Sequence, residues 1–172
     1  FVFTREDYVP AWIPESKVSI IPPSINAHSA KNQAMEQVMA TAIVAHTGLI
    51  RGEDMGQLSW RKDSGETGVV QRYADVMHAG PLPGPESPVV LQVSRWDRLK
   101  DMAGVMHGFA DYVSPETHAT LILAGPSVRS VADDPEGVAS YNECVTIWRN
   151  LPHFKRCRIQ LACLPMSDID EN

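Results

Sequence analysis

The strongest constraint on the fold is a strand pattern that runs directly into a helix pattern at residues 88–113. Residues 89–93 (VVLQV) are apolar or suited to strands, which predicts a buried parallel strand. A basic turn follows, and apolar residues then recur at helical spacing: Met102, Val105, Met106, Phe109 and Val113. Ligands of open α/β sheets bind beyond the carboxyl ends of the strands. The turn that carries Arg95 and Lys100 is therefore the first candidate for a site.

The same alternation continues towards the end of the chain. Residues 118–124 and 157–164 are predicted as the second and third strands. The helix between them is predicted to begin with Asp134 as N-cap and Pro135 at the first helical position. Its inward-facing residues are expected to be Val138, Tyr141, Val145 and Trp148. This β-α-β-α-β order predicts an α/β fold with three adjacent parallel strands and right-handed crossovers.

Arg95 and Lys100 have two interpretations. A guanidinium can hold two phosphate oxygens as a planar fork, and an ammonium five residues later can neutralise the remaining charge, which suits a diphosphate. Alternatively, both side chains are solvated and pair with Asp97 and Asp101, because surface ion pairs are common and weak. Residue types alone favour the solvated interpretation.

Other motifs that carry chemistry are scarce. Neither G-x-G-x-x-G nor a Walker sequence occurs, so a dinucleotide oxidoreductase or a P-loop enzyme would lack its phosphate-binding signature. Asp133 and Asp134 could suggest a metal site or acid–base catalysis, but helix capping explains Asp134 better and leaves Asp133 as a weak candidate. His46 is interpreted as a boundary residue at the end of an apolar helix face rather than as a ligand. No metal site is predicted.

Composition and cysteine usage restrict the partners and the compartment. A chain of 172 residues with 44% hydrophobic content can bury one core, and a net charge of −6 argues against nucleic acid or an anionic membrane as the main partner. No stretch approaches eighteen apolar residues, so no transmembrane segment is predicted. The three cysteines are odd in number and lack C-x-x-C spacing, which fits a reducing cytoplasm. Because the chain opens with Phe1, we expect it to begin inside a longer protein.

The first half of the chain is expected to hold shorter elements. Residues 17–21 form a strand candidate, and Ser29 is predicted to cap a helix that Gly48 ends. The apolar face of that helix is predicted to contain Met35, Val38, Met39, Ala42, Ile43 and His46. A turn signal at residues 63–66 lies between LSWRK and TGVVQRYADV and predicts a hairpin. The basic residues around it could extend a substrate surface, but a solvated hairpin explains them better: Arg61, Lys62 and Arg72.

Four segments carry a resemblance to a known family: VSRWDRLKD, LILAG, DDPEG and the terminal LPMSDIDEN. They resemble the retaining nucleotide-sugar glycosyltransferases of family four, in particular the trehalose synthase and trehalose phosphorylase branch, which also reads similarly through PPSI and QVSR. The similarity covers residues 14–50 and 88–172 in the same order. It implies that the α/β domain is a Rossmann-like three-layer sheet belonging to a GT-B fold.

The resemblance also implies a division of the chain. Residues 1–28 would be the end of an N-terminal domain and the interdomain crossover, and residues 29–50 a helix of the crossover region. Residues 51–87 would be an insertion with a hairpin and a Pro-rich linker. Residues 88–172 would be the first half of the C-terminal nucleotide-sugar-binding domain. The acceptor domain and an acidic donor-binding motif would lie outside this chain, so we expect the chain alone to be inactive.

The function implied by the resemblance is transfer of glucose from a nucleoside-diphosphate glucose to a sugar acceptor, with glucose as the acceptor and trehalose as the product. Arg95 and Lys100 would contact the donor diphosphate and stabilise its charge as it leaves. The nucleotide sugar would be a substrate, with no further cofactor, and a homodimer is an assembly that the resemblance allows. Two alternatives remain: a trehalose phosphorylase, and a phosphate-binding or interaction module without chemistry.

Overall fold

A computed structural model describes residues 1–25, 32, 34–52, 58–61, 65–70, 73–128 and 134–165. At its centre is a four-stranded sheet with β5 (Asp75–Met77), β8 (Ile159–Leu164), β7 (Thr120–Pro126) and β6 (Val89–Val93) in that spatial order. Strands β6, β7 and β8 are parallel, and β5 runs antiparallel along the outer side of β8. The predicted α/β class and the three adjacent parallel strands are confirmed, whereas membership of a GT-B fold stays a prediction.

Two helices cover one face of this sheet and enclose the main core. Helix α2 (Met102–Gly108) continues into a π-helical turn at Phe109–Val113, and α3 (Pro135–Asn150) follows β7. A short helix, α4 (His153–Arg156), leads into β8. The side chains buried between the helices and the sheet include Met102, Met106, Phe109, Leu121, Leu123, Cys144, Trp148, Ile159 and Leu161. Of the stripe predicted over residues 102–113, Met102, Met106 and Phe109 are buried as expected, whereas Val105 is 36% exposed.

The inward face of α3 differs from its prediction. Val145 and Trp148 are buried as expected, but Val138 is 37% exposed. The buried face also contains the small residues Gly137 and Ser140. Small residues contribute little to a hydrophobicity pattern. The prediction therefore included the exposed Val138 and omitted the buried Gly137 and Ser140.

Strand β6 was predicted to be buried, and this prediction is wrong. Val89, Val90, Leu91 and Val93 are 39–62% exposed. The physical reason is that β6 lies at the edge of the sheet, where it pairs with β7 and with no other strand of the described part of the chain. An apolar run shows that a strand is suited to burial. Whether the strand is buried depends on the elements that pack against it.

The first half of the chain holds short elements. Strand β1 (Val2–Phe3) pairs in parallel with β2 (Ser19–Ile20), within the predicted 17–21 strand. Helix α1 (Gln37–His46) ends before Gly48, whose φ of +83° suits glycine. The buried face predicted for α1 is not observed, because none of its residues is fully buried and Val38 is 82% exposed. Ser29 lies outside the described residues, but it does not cap α1, which begins at Gln37 with Glu36 in the N-cap position.

The predicted hairpin is present as β3 (Ser59–Arg61) paired antiparallel with β4 (Thr67–Val69). Part of its turn lies outside the described residues. Strand β5 also falls within residues 51–87, and its place in the main sheet was not predicted. Of the helices in the ranges given above, none combines the length and apolarity needed to cross a membrane.

Candidate functional site

The loop between β6 and α2, residues 94–101, carries the predicted site residues. Arg95 lies two residues beyond the end of β6. Lys100 is the last residue of a short 3-10 turn, Arg98–Lys100, which leads directly into α2. Both residues therefore lie where a parallel strand delivers the chain to a helix, which is the position from which open α/β sheets bind ligands. Their contact with a ligand stays a prediction.

Asp97 organises the first part of this loop. Its Oδ1 accepts a hydrogen bond from the backbone N–H of Leu99 at 2.7 Å, so it caps the 3-10 turn. Its Oδ2 lies 3.2 Å from a terminal guanidinium nitrogen of Arg95. The Arg95 side chain is 73% exposed, and that of Asp97 is 16% exposed. The solvated alternative therefore correctly gave the partner of Arg95.

Lys100 and Asp101 do not form the second pair of that alternative. Asp101 has a left-handed backbone with φ 46°, and its Oδ1 accepts from the backbone N–H of Gly104 at 3.0 Å. A Cβ at Gly104 would overlap this carboxylate, so the cap needs a glycine there. The Lys100 side chain is exposed, and its ammonium has no hydrogen bond or ion pair to any residue that the structure describes.

The capping by Asp101 changes the electrostatics expected at the start of α2. Free amides at the start of a helix favour an anion. The Gly104 amide is instead bonded to a carboxylate that belongs to the chain itself. A ligand phosphate at this loop would therefore depend mainly on side-chain charges, and the Lys100 ammonium is one charge that has no partner among the described residues.

Trp96 anchors the loop to the neighbouring strand. It is 2% exposed, its indole ring lies edge-on to Tyr141 with 4.8 Å between centroids, and its Nε1 donates to the carbonyl of Pro126 at 2.9 Å. A Cβ on Gly125 would lie 2.6 Å from Nε1. Sequence reasoning missed Trp96 and Gly125, although a large aromatic residue inside a polar turn was a usable signal. It also missed Gln92, a polar residue in an apolar strand.

A cleft of about 410 Å³ opens beside the same loop. Its lining comprises Trp96, Asp97, Arg98, Asp101, Met102, Ala103, Ser140, Glu143 and Cys144. Three carboxylates face one guanidinium in this lining, so the cleft repels anions, and neither Arg95 nor Lys100 contributes to it. Burial, together with the nearby carboxylates of Glu143 and Asp101, raises the pKa of the Cys144 thiol to about 11. The cleft is therefore a different place from the predicted phosphate site.

The remaining sequence candidates have simpler explanations or lie outside the described residues. Asp134 caps α3, with its Oδ1 accepting from the backbone N–H of Gly137 at 2.8 Å, so the capping interpretation is confirmed. The ring of His46 lies 5.0 Å from that of Tyr73. Arg61 is exposed on β3. Asp133, Lys62 and Arg72 lie outside the described residues. Within the ranges that the structure covers, no three or more His, Cys, Asp or Glu side chains cluster to hold a metal.

Comparison with known proteins adds one relation. No model of a protein family matches the chain. Over 136 residues the chain is 28% identical to a protein named trehalose synthase from Rubrobacter xylanophilus. The matched region is 79% of this chain and 24% of that protein, so the chain spans about a quarter of the length of this relative. The chain is thus similar, over most of its own length, to one segment of a trehalose synthase.

Proposed function

We propose that the chain forms part of the donor-binding side of a retaining glycosyltransferase that moves glucose from a nucleoside-diphosphate glucose to a second glucose, giving trehalose. The partial similarity to a trehalose synthase supports an enzyme and a trehalose product. The observation that carries the proposal is the position of Arg95 and Lys100 on one loop at the carboxyl end of β6, where the Lys100 ammonium has no partner among the described residues.

The role of these two residues is electrostatic. As the bond between the glucose and the diphosphate of the donor breaks, negative charge grows on the departing diphosphate. Fixed positive charge nearby stabilises that charge and lowers the barrier. Arg95 can offer two parallel N–H donors to one phosphate, and Lys100 offers a compact charge to the same or the neighbouring phosphate. No cofactor or metal is needed for this role.

The ion pair between Arg95 and Asp97 does not prevent phosphate binding. An exposed ion pair contributes roughly 0–1 kcal/mol. The Arg95 side chain, which is 73% exposed, can therefore rearrange at little cost when a phosphate binds. A guanidinium also has five N–H donors, so Arg95 can keep one bond to Asp97 and present another edge to the ligand. Asp97 then orients the guanidinium rather than competing for it.

Two alternatives use the same residues. In a trehalose phosphorylase, the donor would be glucose 1-phosphate instead of a nucleoside-diphosphate glucose. The leaving group would then be phosphate instead of a nucleoside diphosphate. In a module without chemistry, an anion would bind and no bond would break. We propose that catalysis of either kind requires a longer parent protein and takes place in the cytoplasm, which the odd number of cysteines supports.

An assay of the full-length parent separates these functions. It would be supplied with glucose and either nucleoside-diphosphate glucose or glucose 1-phosphate, with trehalose, nucleoside diphosphate and phosphate measured. The proposal predicts trehalose and nucleoside diphosphate in equal amounts from the first donor. Trehalose and phosphate from the second donor alone would favour the phosphorylase. Anion binding without any product from either donor would contradict both enzymes.

A further inference from the structure

Gln92 is the single polar residue in the apolar strand β6. It is paired in register with Leu123, so its side chain is on the sheet face that α2 and α3 cover. From there its Nε2 donates a hydrogen bond to the carbonyl oxygen of Lys100 at 2.9 Å. The same nitrogen lies 3.4 Å from Ser94 Oγ. One side chain thus reaches from the strand across the loop to Lys100, near the end of the loop.

The helix does not supply the Lys100 carbonyl with a donor. In a regular helix it would accept from the N–H of Gly104, four residues later. That N–H is bonded to Asp101 Oδ1, so the helix does not supply a donor. The hydrogen bonds inside the 3-10 turn, from Lys100 N–H to Asp97 and from Asp101 N–H to Arg98, shape the turn but do not attach it to the sheet. The bond from Gln92 makes that attachment.

A polar side chain at this position lowers the stability of the fold, so stability does not explain why a glutamine is present here. Gln92 is half-buried, and its Oε1 is buried without a hydrogen-bond partner in the described part of the chain. An unpaired buried acceptor is unfavourable, and an apolar residue of similar size would avoid the penalty. The benefit of the glutamine therefore lies in where it holds residue 100.

We propose that Gln92 is a positioning residue that fixes the backbone of Lys100, and with it the direction in which the ammonium meets the donor phosphate. This inference rests on the function proposed above. Gln92 does not touch the donor and acts only through Lys100. Its removal leaves the charge in place but lets the 3-10 turn move relative to the sheet, so that the ammonium meets the phosphate less often in the right geometry.

A double-mutant cycle in the full-length parent tests this role. Gln92→Leu, which keeps the volume and removes the amide, is measured with and without Lys100→Ala, using kcat/KM for nucleoside-diphosphate glucose. In the Lys100 background, loss of one hydrogen bond is expected to lower kcat/KM by about five- to tenfold. In the Lys100→Ala background, Gln92→Leu is expected to change it by less than about twofold, because the side chain being positioned is gone.

The matched control is Val90→Ala, two residues earlier on the same face of the same strand. It is expected to lower the thermal midpoint while leaving kcat/KM within about twofold, since the Val90 side chain forms none of the hydrogen bonds that attach the loop. An equal loss from Gln92→Leu in both backgrounds would show a general structural role and overturn the inference alone. If the wild-type parent neither binds nor turns over the donor, the proposed function fails and this inference fails with it.

Discussion

The indole Nε1 of Trp96 donates a hydrogen bond to the carbonyl oxygen of Pro126 at 2.9 Å, and this bond joins the loop after β6 to the end of β7. The contact is close because Gly125 has no side chain. A Cβ there would lie 2.6 Å from Nε1 and 2.9 Å from the carbonyl of Ser94. Side-chain hydrogen bonds from Trp96 near the start of the candidate loop and from Gln92 near its end thus both hold the loop against the sheet.

Gly125→Ala should therefore destabilise the fold and loosen the loop. Forcing one extra carbon into a packed site typically costs about 1–3 kcal/mol, because backbone and indole must both shift. Urea denaturation of the 172-residue chain would measure the loss as a lower midpoint. The matched control is Gly108→Ala at the end of α2, where an added Cβ meets nothing within 4 Å. That variant should be neutral or more stable by up to about 1 kcal/mol. Equal midpoints for the two variants would contradict the packing argument.

Asp134→Ala should weaken the start of α3. The carboxylate accepts the Gly137 N–H at 2.8 Å, and loss of such a cap typically costs about 1 kcal/mol. Asp134→Asn should retain most of the stability, because an amide oxygen can accept the same bond. Glu136→Ala removes a neighbouring negative charge without removing the cap and serves as the control. Stability unchanged in Asp134→Ala, as measured by its denaturation midpoint, would show that the helix begins without this cap.

The Cys144 thiol should resist modification. Burial and nearby carboxylates raise its pKa to about 11, so it stays protonated near neutral pH and forms little of the reactive thiolate. Alkylation followed by mass spectrometry at pH 8 should label the partly exposed Cys157 well before Cys144. Rapid labelling of Cys144 in the folded chain would contradict the raised pKa.

The same raised pKa predicts a pH dependence of stability. The unfolded chain releases the Cys144 proton near the ordinary pKa of 9.0, while the folded chain holds it until about 11. The contribution of this group to the free energy of unfolding is therefore complete below about pH 9 and is lost as the pH rises to about 11. Cys144→Ala should show a smaller decline over that range. Identical pH slopes for the two proteins would rule out this contribution.

Periodicity predicted the parallel core because burial and sequence pattern agree there. Met102, Met106 and Phe109 are apolar, recur at helical spacing and are buried, so the sequence pattern and the tertiary packing identify the same residues. Strand β6 shows where this fails. Leu91 is as apolar as a central-strand residue, yet it is 58% exposed because no neighbour covers it among the described residues. A single sequence contains no information on whether a given apolar strand has a second partner.

The candidate site was predictable in position but not in detail. A basic turn after an apolar strand indicated the loop, and the family resemblance pointed to Arg95 and Lys100. The cap that Asp101 forms from a left-handed backbone was not predictable, since a glycine three residues after an aspartate is not by itself a signal for such a cap. The reach from Gln92 to Lys100 spans eight residues and depends on the tertiary path of the loop. Local patterns do not encode such contacts.

The central claim is that Arg95 and Lys100 contact the donor phosphates, and kcat/KM for nucleoside-diphosphate glucose in the full-length parent tests it most directly. Each single alanine variant should lower this constant by roughly ten- to a hundredfold, since one charge-assisted contact is worth about 1.5–3 kcal/mol. Lys100→Arg should recover little of it, because a planar fork does not replace a compact ammonium.

Arg98→Ala is the control, an exposed basic residue in the same turn that lines the acidic cleft. It should change kcat/KM by less than about threefold. The Arg95→Ala, Lys100→Ala double variant should lose more than either single variant, with kcat falling as well as affinity. Near-normal turnover by the double variant would contradict the account and leave both residues as solvated loop charges.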